Sequence, residues 1–81
     1  ENMNRTFSIR IVYFKPSGTF YTESTFTVED VGISITCDMT AVARSIRQCR
    51  KLKDLPGLAG GWEGPILIDC DDGYPVLILG D

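Results

Sequence analysis

The stretch from Met39 to Lys53 constrains this chain most, because it is the one segment that reads as a long amphipathic helix. Met39, Val42, Ala43, Ile46, Cys49 and Leu52 recur at steps of three and four, which lines one side of an α-helix with apolar surface. Asp38 stands just before them, where its side chain can accept the free N–H groups of the first turn. Basic residues crowd the other end, at Arg44, Arg47, Arg50, Lys51 and Lys53, and positive charge is stabilised at a helix C-terminus. The rest of the chain reads as strand or turn. A lone helix must then cover a sheet, and the expected fold is α+β.

The strands follow from a period of two. From Thr6 to Phe14, Phe7, Ile9, Ile11 and Tyr13 alternate with Ser8, Arg10 and Val12, the pattern of a half-buried strand. Lys15-Pro16-Ser17-Gly18 supplies turn chemistry, with proline fixing φ early and glycine free to take the positive φ that closes the turn. The alternation resumes with Phe20, Thr22, Ser24, Phe26 and Val28, giving a long β-hairpin. Residues Glu29 to Cys37 fit either a third strand or a bend leading into the helix; β-branched Val31, Ile33, Ile35 and Thr36 favour the strand. After the helix, Asp54-Leu55-Pro56-Gly57-Leu58 is a stop and a turn, and residues 59–64 form a glycine-rich loop holding Trp62. Ile66-Leu67-Ile68 and Val76-Leu77-Ile78-Leu79 are short apolar runs joined by a Cys70-Asp71-Asp72-Gly73 turn. The expected architecture is one antiparallel sheet of four to five strands with one helix packed on one face, in the order ββ(β)αββ, over a single domain spanning residues 1–81 whose first five residues form a frayed leader. Both C-terminal runs are apolar on consecutive positions, so both of their faces call for cover. The helix serves one face, and a second copy of the chain is expected to serve the other.

Eighty-one residues make one small domain with a thin core, which favours self-association. A net charge of −3 argues against a general nucleic-acid or membrane binder. The charge is unevenly spread, however: five of the eight basic residues fall within residues 44–53, while residues 54–81 hold six acids and no base. That polarity fits head-to-tail self-contact, an anionic ligand near the helix, or simply a solvated helix face. No stretch reaches the roughly 18–20 apolar residues of a membrane span, and no apolar signal core opens the sequence. Three widely spaced cysteines, Cys37, Cys49 and Cys70, suit a reduced cytoplasm.

The candidates for chemistry are few. There is no histidine, which removes the usual base for a Ser or Cys nucleophile and the usual zinc ligand, so neither an enzyme nor a metal or cofactor site is expected. Asp69, Asp71 and Asp72 before Gly73 match a hairpin turn better than a calcium loop. Gly57, Gly60, Gly61 and Gly64 form neither standard phosphate-binding pattern. What remains is a binding surface. Arg44, Arg47 and Lys51 share a helix face, and arginine forks pair with phosphate or carboxylate oxygens. Trp62 can stack on a flat ring or fold back as a cap on the core, and Tyr74 can offer a hydroxyl.

Tyr13-Phe14-Lys15-Pro16-Ser17-Gly18 with Tyr21, then Leu55-Pro56-Gly57-Leu58 and Gly64-Pro65-Ile66-Leu67-Ile68-Asp69, resembles a group of small uncharacterised proteins encoded by bacteriophages. The likeness runs from about Thr6 to Leu79 and rests on turn and strand signatures; it departs at Asp72-Gly73-Tyr74-Pro75, where members of the group carry histidines. The resemblance implies a viral accessory protein in the host cytoplasm that acts by binding. It would act as a homo-oligomer that sequesters an anionic, nucleotide-like signal of host defence, or else as a module that binds a host or viral protein. The first role would draw on Arg44, Arg47 or Arg50 with Trp62 or a tyrosine.

Overall fold

The first alternating run folds as β1, Asn4–Phe14, and the second as β2, Phe20–Val31, paired antiparallel from Asn4 opposite Val31 to Phe14 opposite Phe20. This is a computed structural model, and it describes residues 4–31 and 36–80, apart from the side chains of residues 4, 5, 30, 31, 51 and 52. Pairing begins at Asn4, so Asn4 and Arg5 of the expected leader belong to β1 instead, because backbone ladder bonds need no apolar side chain to mark them. The hairpin turn is closed as expected: Lys15 N–H donates to the Thr19 carbonyl, and Gly18 has φ 95°. The register slips between Tyr13 and Phe14, whose partners are Thr22 and Phe20, so Tyr21 bulges out of the ladder without an opposite residue. Of the expected third strand, Glu29–Val31 belong to β2, residues 32–35 lie outside the described part, and Thr36 and Cys37 are not strand.

Helix α1, Met39–Leu52, starts where Asp38 Oδ1 accepts from the Ala41 N–H at 3.1 Å. It ends at Lys53, whose backbone is left-handed (φ 59°, ψ 39°), with Asp54 N–H reaching back to the Cys49 carbonyl at 2.9 Å. That return bond satisfies carbonyls the last turn leaves open. Strands β3, Ile66–Cys70, and β4, Val76–Ile78, complete one antiparallel sheet in the order β2-β1-β3-β4. The molecule is α+β, with a four-stranded open sheet and a single described helix.

Register decides what is covered. Phe7, Ile9, Ile11 and Tyr13 on β1, Ile66 and Ile68 on β3 and Ile78 on β4 are buried together with Met39, Ala43 and Ile46 of α1. Leu55, on the chain leaving the helix, closes the same core. The opposite face of the sheet is bare of any second layer among the described residues. There Val12, Leu67 and Leu77 stand in one row across three strands, since Val12 pairs with Leu67 and Leu67 with Leu77. Exposure rises along the row, from Val12, which is buried, through half-buried Leu67 to Leu77, which is 54% exposed. No described helix is long and apolar enough to cross a membrane.

Candidate functional site

Three remote pieces of chain meet beside the C-terminal end of α1, and Arg50 joins them. Its Nε donates to the Trp62 carbonyl at 2.9 Å, Nη2 to the Glu63 carbonyl at 2.9 Å and more weakly to that of Gly64, and Nη1 to the Leu79 carbonyl at 3.0 Å. A planar guanidinium with five donors suits such a task, whereas an ammonium does not. Trp62 fastens the same loop to the hairpin, its Nε1 donating to the Phe14 carbonyl at 2.6 Å. Its ring stacks on Tyr21 with centroids 4.5 Å apart and meets Tyr13 edge-on at 6.2 Å. The bulge explains Tyr21's place, because regular alternation would put it with Glu23 on the opposite face. The Tyr13 hydroxyl in turn donates to the Pro56 carbonyl. Backbones approach so closely that a Cβ on Gly64 would collide with the Phe14 carbonyl oxygen.

This junction floors an open cleft of about 980 Å³, lined by Arg47, Arg50 and Lys53 from the helix end and by residues 60–64, with Pro16, Ile78 and Leu79 at its sides. Three cations face one carboxylate, Glu63. Arg50 is committed to carbonyls. Arg47 and Lys53 make no ion pair with any described residue, and both are exposed. Gly61 lies against Lys53, where a Cβ would come within 3.1 Å of Lys53 Cγ, so the loop backbone and the lysine stem form one wall.

The expected ligand residues are thus divided. Arg47 and Trp62 come together in the cleft. Arg44 is exposed on the helix and does not line the cleft, and the Lys51 side chain lies outside the described part. Tyr74, 90% exposed, lies in the link between β3 and β4, which Gly73 packs against Met39 at the other end of the helix. Lys53 and Glu63 enter the site unforeseen. The loop around Trp62 is pinned by Arg50, and Trp62 serves both as a cap on the sheet end and as a cleft wall.

Elsewhere the chemistry is quiet. Cys37 and Cys70 are buried near the start of the helix, and Cys37 is pushed up to about 12 by burial, then by the Cys70 thiol and the charges of Asp38 and Asp71. Tyr13 is likewise pushed up to about 12, by burial and then by Cys49. Both stay neutral at ordinary pH. Among the described residues no group of three or more His, Cys, Asp or Glu is placed to hold a metal ion. Comparison with protein-family models, with curated proteins and with solved structures returns no match for this chain.

Proposed function

We propose that this protein works by binding, and that it takes a small anionic, nucleotide-like molecule into the cleft at the end of α1. The observation that carries the reading is the lining itself: Arg47 and Lys53 are cations without a described partner, set beside an aromatic ring in a cleft of small-molecule size. Phosphate oxygens would take the two cations, and a base or other flat ring would lie toward Trp62. Glycine backbone at Gly60 and Gly61 lets a ligand approach closely. In a bacteriophage setting, capture of this kind would withhold a nucleotide signal from host defence.

Trp62 is the only tryptophan and makes the test simple. Titration with cyclic dinucleotides and with ADP-ribose should quench its emission saturably and raise the melting temperature. Arg47→Ala should weaken the bound member of this set about ten-fold, the worth of one charge-assisted hydrogen bond. The affinity should fall as salt is added. No saturable change with any of these ligands, in a chain that remains folded, would remove the reading.

A further inference from the structure

The face of the sheet opposite the helix carries apolar surface that the described chain does not cover. Beside the Val12–Leu67–Leu77 row, Phe14 follows Val12 on β1 and stands opposite Phe20, which is 57% exposed; Leu79, beyond β4, is 70% exposed. These six residues occupy the hairpin-turn end of the face; Phe20, Leu77 and Leu79 are exposed there, Phe14 and Leu67 are half-buried, and Val12 is already buried. The other end is polar, with Ser8, Thr25 and Thr27 exposed. The charges nearest the row satisfy one another, since Arg10 lies 3.4 Å from Asp69 and 3.9 Å from Glu23. Two such patches can therefore meet without like charges opposed over the apolar row.

We infer that a second copy of this chain covers that patch, face to face about a two-fold axis. Phe20, Leu77 and Leu79 put three large, exposed apolar side chains on one patch. A chain of 81 residues builds only a thin core, and a copy related by a two-fold axis brings the same apolar patch to cover this one. The sheet edges are poorer docking sites. β4 is three residues long and follows Pro75, and β2, though long, presents exposed Glu23 and Glu29, which discourage strand addition. Leu79 belongs both to the patch and to the cleft, and Arg50 holds its carbonyl, so the second copy reaches the cleft's rim.

Light scattering over a concentration series tests the pairing without any ligand, so its outcome is separate from that of the binding reading. The wild-type chain should show twice its chain mass. Leu77→Lys and, separately, Phe20→Lys should each raise the dimer dissociation constant at least about ten-fold, as loss of a central interface residue does. Thr27→Lys, on the polar end of the same face, should leave it unchanged. Circular dichroism and melting of each variant show that the chain is folded, which these exposed positions permit. A wild-type monomer up to about 1 mM, the weakest affinity of interest, overturns the inference. So does a dimer indifferent to both lysine substitutions.

Discussion

Lys53 sits where the backbone is left-handed, a conformation that costs an L-residue about 1–2 kcal/mol and that glycine adopts freely. Its side chain is also one of two cations on the cleft that form no ion pair with a described residue. Strain held at a residue lining the proposed binding cleft is the pattern expected where binding, not stability, sets the residue type. Lys53→Gly should therefore stabilise the fold by about 0.5–1 kcal/mol, the strain relieved less the added flexibility of the unfolded chain. It should also weaken anion binding about ten-fold. Urea unfolding and ligand titration on one sample read both effects, and a variant that loses stability would show that the lysine stem supports the loop instead. Gly64 is the converse case. Alanine there would drive its Cβ into the Phe14 carbonyl oxygen and within 2.9 Å of the Lys15 carbonyl carbon. Backbone obstructs on that side and no flexible side chain can give way, so Gly64→Ala should lose about 3 kcal/mol or more.

The helix contributes more than a cover, because its last turn fixes the loop that shapes the cleft. Arg50→Lys keeps the charge but cannot reach the Trp62, Glu63 and Leu79 carbonyls together. A loss of about 2–3 kcal/mol is expected, the scale of one or two bonds to a charged group. Trp62 emission should shift to the red in the native state as its loop loosens; an unchanged spectrum and melting point would assign the anchoring to the Trp62–Phe14 bond alone. The elements themselves were legible because each is a periodicity within one segment: Phe7 to Tyr13 at steps of two, Met39 to Cys49 at steps of three and four. The start of β1 at Asn4 was not, since a ladder bond leaves no mark on side-chain pattern. Nor was the bulge at Tyr21, which depends on how one strand meets another. Arg50 left a faint signal, lying seven residues after Ala43 and four after Ile46, at the margin of the apolar stripe, where a cation must find acceptors. Those acceptors, at residues 62–64 and 79, are remote in sequence and carbonyls at that, so no residue type announces them. Lys53 and Glu63 entered the cleft by the same assembly.

Taken whole, the molecule is two layers deep, with extents of 47 × 22 × 17 Å and a core closed at its two ends by Tyr13 and by Cys37. Tyr13 bonds to the Pro56 carbonyl beside the cleft, and Cys37 lies beside Cys70 near the start of α1. Each is a weak acid held neutral, mainly by burial, and each is raised from its ordinary value, 10.0 for Tyr13 and 9.0 for Cys37, to about 12. The unfolded chain therefore releases these protons at lower pH than the folded one does, and stability falls wherever the unfolded state binds fewer protons. Their contribution is whole below pH 9, begins to decline as the unfolded Cys37 and then Tyr13 ionise, and is spent once pH passes about 12. Urea midpoints should be level from pH 7 to about 8.5 and fall steadily above pH 9. Tyr13→Phe should start lower by about 1 kcal/mol, for the lost hydrogen bond to Pro56, and then fall less steeply above pH 10. Cys37→Ser should flatten the earlier part of the decline, between pH 9 and 10. A wild-type curve that is level to pH 11, or one whose slope neither substitution alters, would mean that neither group is held neutral by the core and that its ends are open to water.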